Sequence, residues 1–123
     1  MQKIAAVTED GTNLSNHFGM APFYRVFTAE AGQILVEETR PKPHHSSYPD
    51  HSNGGHGAHG HVDMFAPVID CQVLLCGGMG TRAYQKAQAA GMQVVLTGGE
   101  MRAAVEAYLA GQLVSDLGRI HNH

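Results

Sequence analysis

The chain has little of several residue types, and each scarcity excludes a class of protein. It has no tryptophan and two cysteines in 123 residues, and only 15% of its residues are charged. The formal net charge is −3 at pH 7, so no excess of positive charge draws the chain to nucleic acid or to an anionic membrane. No apolar run approaches the length that spans a bilayer. We therefore expect neither nucleic acid nor a membrane as a partner.

The cysteines and the first residues together indicate a reducing compartment. Residues 1–8 form too short an apolar run for a signal peptide. Cys71 and Cys76 lie five residues apart on a predicted strand, about 16 Å at strand rise, which is too far for a disulfide. Two reduced thiols fit the cytoplasm, and the length fits a single domain over residues 1–123.

A repeated pattern dominates the second half of the sequence. The motif Q-V-x-L-x-G-G occupies residues 72–78 and again residues 93–99, and a helical pattern follows each copy. Two successive units of strand, glycine turn and helix predict parallel strands joined by right-handed crossovers. Both glycine turns then lie at the carboxyl edge of one sheet, where ligands bind in open α/β sheets.

The first half of the sequence supplies the remaining strands. Residues 3–8 predict a mostly buried strand, and residues 23–29 and 33–39 predict a hairpin around a short glycine-containing turn. A hairpin extends one edge of a sheet while crossover helices carry the chain to the other. We therefore predict an α/β protein with a mixed five-stranded sheet in the order 3-2-1-4-5, in which strand two runs antiparallel to strand one.

The first glycine turn has two interpretations besides a tight strand-to-helix connection. Residues 78–83 satisfy the dinucleotide pattern G-x-G-x-x-A, but Thr97 stands where that pattern needs an acidic residue. More generally, helix N-termini beside glycine turns favour a compact anion. Catalysis has little support, because no nucleophile and base can be paired by spacing and Glu9 with Asp10 is an isolated acidic pair. We expect a protein that is not an enzyme.

Two further side chains are candidates at the same edge. His17 lies on the loop after the first strand, which leaves from this edge if that strand is parallel to the repeats. Cys76 ends its strand nearby. The alternatives are an ordinary surface histidine and a small buried thiol.

Residues 44–61 are rich in His, Gly, Ser, Pro and Asn, and have almost nothing to bury. Such a segment cannot offset the entropy of being ordered, so we predict a flexible insertion. Neutral imidazole binds Zn, Cu and Ni, and a tolerated spacer is the alternative. We call residues 44–61 the histidine tract. Its candidate metal ligands are His44, His45, His51, His56, His59 and His61.

Three motifs together resemble a known family. They are N-x-x-x-H-F-G at residues 13–19, C-G-G-M-G at residues 76–80, and V-x-x-x-G-G-x-M-x-x-A-V-x-x-Y-x-x-G at residues 94–111. This combination resembles the dinitrogenase iron-molybdenum cofactor biosynthesis family, and the resemblance covers almost all of the chain outside the histidine tract. Members include small nitrogenase-cofactor carriers and the orange protein of sulfate-reducing bacteria.

The resemblance implies a ribonuclease H-like α/β/α fold and non-enzymatic binding of a molybdenum-containing metal-sulfide cluster, of the Mo-Fe-S or Mo-Cu-S type. It implies His17 as the candidate metal ligand and proteins that donate or accept the cluster as partners. With the second glycine turn added, the candidate cluster-binding residues are Asn13, His17, Phe18, Gly19, Cys76, Gly77, Gly78, Met79, Gly80, Gly98 and Gly99.

Three functions therefore stay open on the sequence. The leading hypothesis is a cluster carrier, the second is a nucleotide-binding protein or enzyme that uses the turn at residues 78–83, and the third is a metal buffer that acts through the histidine tract. The sequence predicts no particular oligomeric state.

Overall fold

The computed structural model describes residues 2–42 and 64–121, without the side chain of His121. The histidine tract lies outside these residues. The strands are β1 (Gln2–Thr8), β2 (Phe23–Glu30), β3 (Gln33–Pro41), β4 (Val73–Cys76), β5 (Met79–Gly80), β6 (Gln93–Leu96) and β7 (Ile120–His121). The helices are α1 (Thr81–Ala89) and α2 (Met101–Leu109), with single 3-10 turns at Ala66–Val68 and Leu117–Arg119.

Five of the strands form one mixed sheet in the order β3-β2-β1-β4-β6. Strand β1 is antiparallel to β2 and parallel to β4, and β4 is parallel to β6. The mixed five-stranded sheet is thereby confirmed. The predicted numbering 3-2-1-4-5 is corrected to 3-2-1-4-6, because Met79–Gly80 forms a short additional strand that pairs outside this sheet.

Each helix covers one face of the sheet. Because strand side chains alternate between faces, β1 contributes to two separate buried clusters. Val7 belongs to the cluster that contains Ala87 of α1, and Ile4 belongs to the cluster that contains Val105 of α2. Burying an aliphatic side chain of this size stabilises the fold by about 1.5–3 kcal/mol. The two clusters hold the sheet between its helices, as three layers. Within the described ranges, no helix is long and apolar enough to cross a membrane.

The parallel strands fix which loops can meet. The pairs Ala6 with Leu75 and Cys76 with Leu96 set β1, β4 and β6 side by side in the same direction. The segments that follow them, residues 9–19, 77–78 and 97–100, therefore leave from one carboxyl edge. This is the arrangement that the repeated pattern predicts.

The segment after α2, which the sequence pattern did not assign, lies beside the end of β6 at this edge. The hydroxyl of Ser115 accepts a hydrogen bond from the Leu96 N–H at 3.0 Å, and the Asp116 N–H donates to the Leu96 carbonyl at 2.8 Å. Strand β7 then pairs in parallel with β5. We call residues 115–121 the C-terminal strap.

Candidate functional site

The loop of residues 9–19 packs tightly on the first glycine turn. The Gly77 N–H donates to the Ser15 carbonyl at 2.7 Å, and the Phe18 N–H donates to the Gly78 carbonyl at 3.1 Å. A Cβ on Gly77 would lie 2.7 Å from the Ser15 carbonyl oxygen and 2.4 Å from the Asn16 side-chain oxygen. Only glycine allows this approach of two backbones.

The same loop also reaches the second glycine turn. The Leu14 N–H donates to the Gly99 carbonyl at 2.9 Å, and the Met101 N–H donates to the Thr12 carbonyl at 2.9 Å. Gly99 has a φ of +96°, which a residue with a side chain rarely adopts. One loop therefore contacts both turns of the repeat.

A carboxylate holds the start of this loop. The Asp10 carboxylate accepts hydrogen bonds from the backbone N–H groups of Asn13 and Thr12, both at 2.8 Å, which lower its pKa to about 2. The Asn13 side-chain amide also donates to Asp10, at 3.1 Å. The Glu9 carboxylate accepts from the Ser15 hydroxyl at 2.6 Å. The acidic pair thus stabilises the loop, and the predicted site residue Asn13 is part of its turn.

His17 is exposed on this loop, and its backbone is held in place. Its N–H donates to the Ser15 hydroxyl at 3.0 Å, and its carbonyl accepts from the Met20 and Ala21 N–H groups. Residues 2–42 and 64–121 contain no group of three or more His, Cys, Asp or Glu side chains placed to hold a metal ion. His17 is the predicted metal ligand that the structure describes, since the other six lie in the histidine tract.

Phe18 faces the core instead of the edge. It is buried, stacks on Phe65 with ring centroids 5.2 Å apart, and carries the Lys42 ammonium 4.3 Å from its ring centroid. Lys42 is 3% exposed, and burial lowers its pKa to about 8. Phe18 therefore anchors the loop, while its neighbour Gly19 is half-buried.

Cys76 corresponds to the alternative given for it, a small buried thiol. Its side chain is fully buried, and its thiol donates to the Gly78 carbonyl at 3.1 Å. Burial raises the pKa of this thiol to about 11, so it is protonated at neutral pH. Met79 is buried in the same cluster. The motif C-G-G-M-G therefore contributes backbone groups to the carboxyl edge, while its Cys76 and Met79 side chains are buried. Gly80 is the N-cap residue of α1.

Sequence reasoning missed the cation at this edge, which is Arg119 on the C-terminal strap. Its Nη1 donates to the Gly77 carbonyl at 3.2 Å, and a Cβ on Gly98 would lie 3.0–3.2 Å from its guanidinium atoms. Another arginine, Arg82, is exposed in the first turn of α1. The sequence feature that could have indicated Arg119 is local. Asp116 is an N-cap residue, and Arg119 follows it three residues later.

A surface cavity of about 320 Å³ lies away from these residues. Its lining includes Gly32, Ile34, Arg102 and Glu106. The β2–β3 turn adjoins the amino end of β1, because Gln2 pairs with Ala29. This cavity is therefore at the opposite edge of the sheet and contains none of the predicted site residues.

Comparison with known proteins decides the family. The family model described as dinitrogenase iron-molybdenum cofactor matches residues 1–111. The chain belongs to this family. A search of curated proteins found no match. The match to the family model ends before the C-terminal strap, so Arg119 lies outside it.

Several solved structures have a similar fold. The apo form of the orange protein from Desulfovibrio gigas is 28% identical, with a TM-score of 0.65 and alignment over 94% of this chain and 93% of that chain. The NMR structure of a candidate dinitrogenase from Methanococcus jannaschii is 11% identical, with a TM-score of 0.61 over 94% and 92% of the two chains. A candidate NifB protein from Thermotoga is 22% identical, with a TM-score of 0.55 over 94% and 93%. The latter two similarities concern the fold.

Proposed function

We propose that this protein binds and carries an anionic molybdenum-containing metal-sulfide cluster, or its precursor, without catalysing a reaction. The observation that carries the proposal is the meeting of two glycine turns, the His17 loop and the Arg119 guanidinium at one sheet edge. The family, whose name refers to an iron-molybdenum cofactor, and the similarity to the orange protein support this class of cargo. The ribonuclease H-like classification and the single domain belong to the same proposal.

The hydrogen-bond donors at this edge suit a polyanionic cluster that is assembled before the protein binds it. A metal-sulfide cluster needs few protein ligands and several positive or N–H groups around its sulfides. Arg119 supplies a fixed charge, and the exposed His17 can ligate a metal or donate a hydrogen bond to sulfide. The buried thiol of Cys76 cannot approach such a cargo. Clusters of the Mo-Fe-S and Mo-Cu-S types both satisfy these requirements, and proteins that donate or accept them are the partners we propose.

Anaerobic reconstitution tests the proposal. Protein purified without chelator is analysed for metal and acid-labile sulfide, then titrated with tetrathiomolybdate in the presence and absence of Cu(I). We expect saturable uptake with new charge-transfer absorption in the visible region. Buffer without protein under matched conditions is the control. No uptake beyond this control would contradict the carrier function.

A nucleotide-binding function is the second candidate, because the G-x-G-x-x-A turn lies between a strand and a helix. The structure adds a difficulty, since Met79 and Gly80 of this turn pair with Ile120 and His121 of the strap. Thermal melts with and without ATP and NAD separate the two functions. A saturable rise in melting temperature would favour the nucleotide, and no change favours the cluster.

A further inference from the structure

The C-terminal strap places one positive charge between the two glycine turns. The Arg119 side chain is 37% exposed, donates to the Gly77 carbonyl and lies against Gly98. The strap is fixed on both sides of this arginine by the bonds of Ser115 and Asp116 to β6 and by the pairing of β7 with β5. The backbone that carries Arg119 is therefore fixed by the fold, and its guanidinium reaches both turns from there.

This guanidinium is incompletely satisfied. Its Nε is buried and has no hydrogen-bond acceptor among the described residues. Arg119 forms an ion pair with Asp116, whose side chain is 61% exposed and has a carboxylate oxygen 3.5 Å from Nε. Glu9 and Asp10 are the acidic residues of the loop of residues 9–19, and both already accept hydrogen bonds within that loop. The hydrogen bond to the Gly77 carbonyl uses one of the five N–H donors of a guanidinium, so donors remain for a ligand that reaches its exposed side.

We propose that Arg119 is the group that recognises the negative charge of the cargo, so that thiometallate anions bind at this edge in preference to cations and neutral species. In the loaded protein, the guanidinium donates to sulfide or oxo atoms of the cargo, and its planar set of donors suits several such atoms at once. This inference rests on the proposed function and specifies which group of this chain recognises the negative charge.

The test uses four variants of the full chain and tetrathiomolybdate as the probe. Arg119→Ala removes the charge, and Arg119→Lys retains a charge without the planar donors. Arg82→Ala is the matched control, because it removes the same charge from an exposed site. Asp116→Asn removes the negative charge beside Arg119 while keeping an oxygen that can accept from the Gly118 N–H.

We expect Arg119→Ala to weaken binding about tenfold, Arg119→Lys to weaken it less, and Arg82→Ala to change it by less than about twofold. Asp116→Asn should strengthen binding about twofold, because it leaves the arginine charge uncompensated. The dependence of affinity on salt should also decrease in Arg119→Ala. Thermal melts of each variant show whether the fold is kept.

The expected changes in affinity of Arg119→Ala and Asp116→Asn have opposite signs, which distinguishes charge recognition from a structural role. If Arg119 only holds the strap, Asp116→Asn weakens binding as Arg119→Ala does, and the inference is wrong. Equal affinity of Arg119→Ala, Arg82→Ala and wild type would overturn the inference while leaving the carrier function intact. A wild-type protein that takes up no tetrathiomolybdate would overturn the carrier function and this inference together.

Discussion

The two glycine turns have the same sequence pattern and different neighbours. The first turn lies against the backbone of the loop before it, with the Gly77 N–H bonded to the Ser15 carbonyl. At the second turn the loop bonds to the Gly99 carbonyl, but the position beside Gly98 is occupied by the end of a long side chain, the Arg119 guanidinium. Gly77 is buried, while Gly98 is half-buried and Gly99 is exposed.

This difference assigns separate roles to the two copies of the repeat. Backbone against backbone cannot yield without moving a strand or a loop, so the first turn is a structural junction. A guanidinium at the end of a flexible side chain can move aside or exchange its acceptor. The second turn is therefore the part of the edge that can admit a ligand.

Alanine at the two equivalent glycines should have very different costs. Gly77→Ala places its Cβ 2.7 Å from a backbone oxygen, so we expect a loss of about 3 kcal/mol in the free energy of unfolding. Gly98→Ala displaces only the Arg119 side chain, so we expect a loss below about 1 kcal/mol. Urea unfolding measures both values. Equal losses would contradict the distinction between the turns.

The buried lysine over the Phe18 ring, Lys42, should give stability an unusual pH dependence. Below pH 8 both folded and unfolded chains keep the Lys42 proton, and the folded chain bears the full cost of burying the charge. Between pH 8 and 10.5 the folded chain releases this proton first, so the contribution of Lys42 to stability rises with pH. Between pH 7 and 10, wild type should gain about 2 kcal/mol relative to Lys42→Met.

The comparison with the variant is necessary because burial raises the pKa of both Cys71 and Cys76 to about 11. The unfolded thiols ionise first, near pH 9, so these cysteines lower stability in both proteins at higher pH. Urea unfolding at each pH gives the difference, and Lys86→Met, at an exposed lysine of α1, is the control. A difference that stays constant from pH 7 to 10 would show that Lys42 keeps an ordinary pKa.

The histidine tract should contribute metal binding separate from both turns. Serine at its six histidines should leave stability within about 0.5 kcal/mol of wild type and should reduce the number of Zn, Cu or Ni ions bound. The metal effect of the wild-type tract should fade below about pH 6, where imidazole protonates. Calorimetric titration with each metal measures the stoichiometry. An unchanged stoichiometry would favour the spacer alternative.

The repeat predicted the edge but not the surroundings of its two turns. The repeated pattern and the spacing of its glycines were sufficient to predict the parallel strands and the meeting of their loops at one edge. Strand β4 is apolar throughout and buried on both faces, so its pattern could not tell that the Cys76 side chain turns into the core. Arg119 and Lys42 reach their positions through contacts between residues distant in sequence. Lysine is so rarely buried that its residue type alone predicts an exposed side chain.

The most direct test of the account locates the cargo on the folded chain. Backbone amide NMR spectra are recorded during titration with tetrathiomolybdate and Cu(I), whose closed-shell metals leave the signals observable, in wild type and in His17→Ala. We predict the largest shifts at His17, Gly98 and Gly99, small shifts at the buried Gly77, and weaker retention with an unchanged core in the variant. Shifts confined to residues 44–61, with equal affinity in both proteins, would contradict binding at the glycine turns.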